Sequence, residues 1–369
     1  MPPPYPIAFV LTNFARGGME MRLADVVNSL DTSRWNPHVY AFYESQTMRH
    51  TIPPERLHVP LAAMRRDPSL PLRLAWRFRR EQTTIVWALT QGLAAGFGRL
   101  GAVLGGVPIR ILSLHDVFPI APLTRSLTPI TDAIVTNSRF AADHAIRSGL
   151  PAAKLHILPN GIDTQRYQPG PDCRANFYGI PPERPVILHV GRLEPDIKGQ
   201  DVLLKAVQPL MQRPNPPLVV FVGEGIISKR DELEHLSAEL GIQAGVRFVG
   251  LRSDTPALMQ SCDLLVMSSR TESSPNVVIE AQACAKPVIA AQVGGTSELL
   301  LEGQTGFLIP PDDPPALTQK LNVLLDQAEL RQQMGQAARH YVEMNFSIAH
   351  MTQGRVELFE RLLAQKGIH

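Results

Sequence analysis

Cysteine is scarce in this chain. Cys173, Cys262 and Cys284 are its three cysteines among 369 residues, with no Cys-x-x-Cys pair and no Cys/His cluster. That excludes a disulfide framework and a structural zinc site, and it points to a reducing compartment. Long apolar runs are missing too. None approaches the roughly 18 consecutive apolar residues that a bilayer-spanning helix needs. The opening Met1-Pro2-Pro3-Pro4-Tyr5-Pro6 has neither a basic n-region nor a long apolar h-region, so no signal peptide is expected. A cytoplasmic location is the expectation. Net charge is only +2 and no recognised nucleic-acid-binding module occurs, so a nucleic-acid partner is not expected.

What is present is the composition of a globular protein, with 44% apolar and 19% charged residues. The length exceeds one hydrophobic core, so two domains are expected. Their charges differ. Residues 1–180 carry 19 Lys+Arg against 12 Asp+Glu, and residues 181–369 carry 17 against 22, giving +7 and −5, which sum to +2. A basic half suits nucleic acid, an anionic membrane or an acidic small molecule, and the count does not choose.

Short apolar runs alternate with helix-length amphipathic stretches. Candidate strands are Ile7–Leu11, His38–Phe42, Thr84–Leu89, Ile109–Ser113, Ala133–Thr136 and Leu155–Leu158. They continue with Val186–Val190, Leu218–Val222, Val246–Val249, Leu264–Met267 and Val288–Ala291. Met19–Leu30, Phe140–Ser148, Arg230–Leu240 and Pro275–Ala285 read as helices, and the chain from Ala316 onward reads as helix without strand. Alternating β and α elements predict α/β architecture with two open, doubly wound parallel sheets. The proline- and glycine-dense stretch Gln168-Pro169-Gly170-Pro171 suits a linker.

Open α/β sheets bind ligands at the carboxyl ends of their strands. The first strand runs into Arg16-Gly17-Gly18-Met19-Glu20 and a helix, where glycines allow close backbone approach or simply make a turn. The first strand of the second half runs into Gly191-Arg192…Lys198-Gly199. An Arg fork and a Lys point charge there suit a pyrophosphate, although solvated surface cations would look the same.

After Leu264–Met267 comes Thr271-Glu272-Ser273-Ser274-Pro275-Asn276-Val277-Val278-Ile279-Glu280. Ser274 reads as an N-cap and Pro275 as the first helical residue, leaving the amides of Asn276, Val277 and Val278 to face an anion. Glu272 and Glu280 offer carboxylates to vicinal hydroxyls, as sugars and ribose present them. A capped surface helix with two solvated glutamates is the plainer reading. Val293-Gly294-Gly295 precedes another helix start. His115 ends a strand in Ser113-Leu114-His115-Asp116, where a lone histidine is more often structural than catalytic. Pro159-Asn160-Gly161-Ile162-Asp163 is a turn. The basic stretch Arg65–Arg80 interleaves six arginines with Leu70, Leu72, Leu74, Trp76 and Phe78, which suits an anionic membrane surface or a solvated face. The alternation of Leu72, Leu74, Trp76 and Phe78 is not cleanly helical.

Together these motifs resemble the retaining GT-B glycosyltransferases of family 4, in the family's order and over nearly the whole chain. They are Gly17-Gly18-x-Glu20, Pro159–Asp163, Gly191-Arg192…Lys198-Gly199, Glu272-x7-Glu280, Val293-Gly294-Gly295-Thr296-x-Glu298 and Thr305–Pro311. The resemblance implies two Rossmann-like domains facing a central cleft: residues 1–167 with a returning helix at about 346–369, and residues 168–345 for the donor. It implies a nucleoside-diphosphate sugar as donor, a UDP- or GDP-sugar, and no metal or other cofactor. The acceptor would be a glycan or a lipid-linked hydroxyl, and the basic stretch Arg65–Arg80, read by itself, leans toward a peripheral contact with an anionic membrane.

The catalytic set it implies is His115, Glu272, Arg192 and Lys198. Arg192 and Lys198 would take the diphosphate, Glu280 the ribose, and Glu272 the sugar hydroxyls near C3. Val249 and Gly250 would lie near the base, Gly18 against the diphosphate or acceptor, and His115 near the sugar. Gly17, Gly191, Ser274, Pro275, Asn276 and Val277 complete the donor contacts. One departure is Ser273, where many members have glycine, and it bears on the choice of sugar. Rival readings are a non-catalytic GT-B sugar-nucleotide binder, a sugar-nucleotide epimerase and a nicotinamide-dependent oxidoreductase. The last lacks its G-x-G-x-x-G.

Overall fold

A computed structural model describes residues 3–14, 18–43, 51–59, 67–89, 91–115 and 119–368. The chain forms two compact units, Met1–Gly161 with Ile348–His369, and Ile162–Ser347. The first segment thus ends at Gly161, before the expected boundary at 167, and the Pro/Gly-dense stretch at 168–171 lies inside the second unit.

Among the described residues, the first unit has seven parallel strands: β1 (Tyr5–Asn13), β2 (Trp35–Tyr43), β3 (Leu57–His58), β4 (Ile85–Ala88), β5 (Ile109–Leu114), β6 (Ala133–Thr136) and β7 (Leu155–Ile157). Their order is β3-β2-β1-β4-β5-β6-β7. The second has six: β8 (Val186–Val190), β9 (Leu218–Val222), β10 (Val246–Phe248), β11 (Leu264–Met267), β12 (Val288–Ala291) and β13 (Gly306–Ile309), in the order β10-β9-β8-β11-β12-β13. Every pairing is parallel. The α/β, doubly wound class follows from the β–α alternation, because parallel neighbours need crossovers that cover both faces.

Side chains alternate across each sheet. Along β9, Leu218, Val220 and Val222 enter one core cluster while Val219 and Phe221 enter the other. Strands buried on both faces read as unbroken apolar runs, which is why Leu218–Val222 and Leu264–Met267 are visible in sequence. β3 and β13 were not among the expected strands. The expected Val246–Val249 ends at Phe248.

The segment Leu70–Arg80 is a helix, despite its two-residue alternation. Leu70, Leu74, Ala75 and Phe78 are buried at helical spacing, whereas Leu72 and Trp76 are 65% and 63% exposed. Arg65 and Arg66 lie outside the described residues. Among the described residues, no helix is long and apolar enough to cross a membrane.

Candidate functional site

In the second sheet β8 and β11 are neighbours, with β9 beyond one and β12 beyond the other. Their connections leave in opposite directions, so the loops at their carboxyl ends flank a crevice, where ligands bind in such sheets. β8 leads into Gly191–Gly199 and β11 into Ser268–Pro275.

The two loops are stitched together. Ser268 Oγ donates to the Gly199 carbonyl at 2.6 Å, and the Arg270 amide donates to Ile197 O at 2.7 Å. Lys198 Nζ donates to Glu272 Oε1 at 2.6 Å, and Ser269 Oγ donates to the same oxygen at 2.8 Å. The Lys198 and Glu272 side chains are 22% and 13% exposed. The single turn Pro195–Lys198 ends on Gly199, whose φ is +62°. A Cβ there would stand 2.0 Å from Ser268 O, so the close approach requires glycine.

Arg192 stands in the same loop under looser restraint. Its guanidinium pairs with Glu194 at 3.2 Å while 71% of the side chain is exposed. Gly191 does not carry the close approach that its motif suggests. A Cβ on it would meet ordinary contacts at 3.8 Å, whereas one on Gly223 would stand 2.0 Å from Gly191 O. The space is therefore made by the next loop's glycine.

The helix after β11 is Asn276–Ala283, one residue later than expected. Pro275, not Ser274, occupies the N-cap position. Val278 N–H closes the first turn on Pro275 O at 3.2 Å. A helix start at a strand's carboxyl end presents a positive dipole end to an anion. Asn276, Val277 and Glu280 are half-buried on this helix. Ser273 is not among the positive-φ residues, so a serine sits there without the backbone strain its replacement of glycine suggested. The unusual backbone belongs to Gly294, with φ +56°, where a Cβ would stand 1.7 Å from Glu272 O.

Val249 and Gly250 follow β10. Val249 N–H donates to Phe221 O at 3.0 Å, and Gly250 O accepts from Gly223 N–H at 2.9 Å. His189, at the end of β8, is 2% exposed, and its ring nitrogen lies 3.3 Å from Lys198 O. Burial pushes its pKa down to about 4, so the ring is neutral at pH 7.

In the first unit, Gly18 opens the helix Gly18–Ser29 and is exposed. Gly17 lies outside the described residues. His115 follows β5, with its Nδ1 buried and without a partner. Burial, aided by the charge of Arg355, lowers its pKa to about 4. Gly18 and His115 belong to the first unit, whereas the remaining described candidates belong to the second.

Sequence reasoning missed Arg270. Its side chain reaches Pro195 O, Asp201 and Asp312, which come from three different places in the sequence. The signal available was an arginine two residues before Glu272, at the end of a buried strand.

A model of the family described as "Glycosyl transferases group 1" matches residues 175–341, and one described as "Glycosyltransferase Family 4" matches residues 16–166. The chain is 29% identical, over 81% of its length and 84% of the relative's, to a GDP-mannose-dependent alpha-(1-6)-phosphatidylinositol monomannoside mannosyltransferase of Mycolicibacterium smegmatis. It is 34% identical over 58% of its length to a D-inositol 3-phosphate glycosyltransferase of Corynebacterium glutamicum, of which it covers 53%. The chain thus spans about half the length of the D-inositol 3-phosphate glycosyltransferases it matches. In fold it is similar to an Anabaena protein, HepE, solved with UDP: TM-score 0.82 at 22% identity, covering 97% of this chain and all of that one. The two matched models fall one on each unit and join two parallel sheets of GT-B type, so the chain belongs to the group 1 glycosyl transferases of family 4 and is a hexosyltransferase that uses a nucleotide sugar.

Proposed function

We propose that this enzyme moves a hexosyl group from a nucleoside-diphosphate sugar to an acceptor hydroxyl with retention of anomeric configuration. The observation that carries the reading is the arrangement around β8 and β11. An exposed Arg192 and a carboxylate-bound Lys198 share one loop, beside the loop that bears Glu272 and leads into the helix start at Asn276.

In this reading the anomeric C–O bond to the diphosphate breaks, and negative charge grows on the departing nucleoside diphosphate. Arg192, Lys198 and the first turn at Asn276 offset that charge, which leaves no task that demands a metal ion. Attack comes from the face the diphosphate leaves, a new C–O bond forms, and the acceptor's proton passes to the leaving phosphate oxygen. Glu272 accepts from the sugar hydroxyls and Glu280 from the ribose. Gly191, Ser274, Pro275, Asn276 and Val277 line the donor, and Val249 and Gly250 lie by the base.

The name of the mycobacterial relative favours a GDP-sugar over a UDP-sugar, and a glycolipid or other cell-surface glycan as acceptor. The helix Leu70–Arg80 would then rest on the anionic inner face of a membrane, with exposed Leu72 and Trp76 among arginines.

The test is a thermal-shift series with GDP, UDP, ADP and TDP on the unaltered protein and on Arg192→Ala/Lys198→Ala. A ligand at a hundred times its Kd stabilises by about 2.7 kcal/mol. A shift with one nucleoside diphosphate, lost in the double variant, supports the reading and names the base. No shift with any of them overturns it.

A further inference from the structure

We infer that Arg270 is a positioning residue for nucleotide-sugar binding, holding the Pro195–Lys198 turn so that the Lys198 ammonium stands beside Glu272. The inference rests on the proposed role of Lys198 at the donor diphosphate.

Arg270 is joined to that turn by backbone and side chain together. Its amide donates to Ile197 O at 2.7 Å, and its guanidinium donates to Pro195 O. The same guanidinium grips Asp201 with two bonds, 2.7 and 2.9 Å long, just past Gly199 in the helix Gln200–Val207. Its Nε reaches Asp312, in the turn after β13, at 2.7 Å. The turn is thereby held at its first residue, at its third and just beyond its last. That fixes where the Lys198 side chain leaves the backbone, and the residue its ammonium meets, Glu272, lies two positions after Arg270.

Charge accounting places Arg270 outside direct ligand binding. Arg270 and Lys205 face Asp201 and Asp312, two positive charges against two negative, so the cluster offers an anion no net attraction. Any effect of Arg270 on a diphosphate passes through Lys198. Lysine cannot substitute for it, because a point charge lacks the planar fork that bridges a carbonyl and two carboxylates.

The test measures the Kd of GDP and UDP by titration calorimetry, with thermal midpoints, for Arg270→Lys, Arg270→Ala, Asp201→Asn and Lys198→Ala. Arg174→Ala serves as the control, since Arg174 is also paired with two carboxylates, Asp172 and Asp263. The expected result is a tenfold or greater loss of affinity in both Arg270 variants, and a smaller loss in Asp201→Asn. Millimolar methylguanidinium should restore part of the affinity of Arg270→Ala and none of that of Lys198→Ala. The control should keep its affinity at an equal loss of thermal midpoint. If Arg270→Ala does not fold, Arg270→Lys and Asp201→Asn carry the comparison. Full affinity in the folded Arg270 variants, with Lys198→Ala impaired, overturns the positioning role alone. So does an equal loss in the Arg174→Ala control. Full affinity in Lys198→Ala, or no binding by the unaltered protein, overturns the donor reading and this inference with it.

Discussion

Lys198 and Glu272 are 74 residues apart in sequence and joined at 2.6 Å in space. In the proposed mechanism they serve different parts of one donor, the lysine its diphosphate and the glutamate its sugar. With no donor bound each neutralises the other, so neither stands as a lone half-buried charge.

The pairing separates the effects of two substitutions. Lys198→Ala removes a charge-assisted hydrogen bond of about 1.5–3 kcal/mol, which is a roughly ten- to hundredfold loss of nucleoside-diphosphate affinity. Glu272→Gln removes the competitor for Lys198 and keeps the side chain's shape. It should leave that affinity unchanged or higher while donor turnover falls by a similar factor. Titration with the nucleoside diphosphate and turnover of the sugar nucleotide check the two separately. Equal losses of both in Glu272→Gln would contradict the division of roles.

Gly294 supports Glu272 from behind. A methyl group there would meet Glu272 O at 1.7 Å, whereas at Gly303, also at positive φ, nothing would stand within 4 Å. Gly303→Ala should therefore cost only the left-handed backbone, about 1–3 kcal/mol. Gly294→Ala should cost more and also displace Glu272, lowering donor turnover. Urea midpoints and turnover of the two variants make the comparison. A Gly294→Ala protein as active as Gly303→Ala would show that the Glu272 loop adapts freely.

The sheets were legible because their strands are buried on both faces. Leu218–Val222, Leu264–Met267 and Val288–Ala291 run apolar from end to end, Val186–Val190 does so apart from His189, and all four form strands with those bounds. β3 escaped because it has two half-buried residues, and β13 because glycine begins it and Pro310-Pro311 follows it. The Leu70–Arg80 helix was obscured by residues at a spacing of two, Leu72, Leu74, Trp76 and Phe78, of which only alternate members are buried. The loops of Lys198 and Glu272 could be placed after their strands from sequence. Arg270 could not be given its role, since its partners come from loops near residues 195, 201 and 312 that only the folded sheet brings together.

Acid should loosen the second unit through His189. Burial lowers its pKa to about 4 from an ordinary 6.5, so between those values the unfolded chain binds the proton and the folded one does not. Stability is then fully present above about pH 6.5 and is lost as pH falls toward 4, by about 3 kcal/mol from this imidazole. His189→Asn should flatten the acid limb of a plot of thermal midpoint against pH, even if its midpoint at pH 7 is lower. An unchanged acid limb would assign the loss to other groups.

The helix Leu70–Arg80 has an inner face that explains its fold and an outer face that does not contribute to it. Leu70, Leu74 and Phe78 are buried, whereas Leu72 and Trp76 project outward. Arg80 lies over the Trp76 ring at 5.3 Å, and Arg73, paired with Asp67 at 3.1 Å, remains 55% exposed. Apolar side chains ringed by cations suit the boundary between headgroups and acyl chains, where each arginine near an anionic surface contributes about 1 kcal/mol. Binding to vesicles containing anionic lipid is expected, with little binding to neutral vesicles and weakening as salt rises. Leu72→Ser/Trp76→Ser should reduce vesicle binding severalfold while leaving the thermal midpoint nearly unchanged, because neither side chain is in the core. No vesicle binding, or binding that ignores both salt and the double substitution, would overturn the proposed membrane contact of this helix.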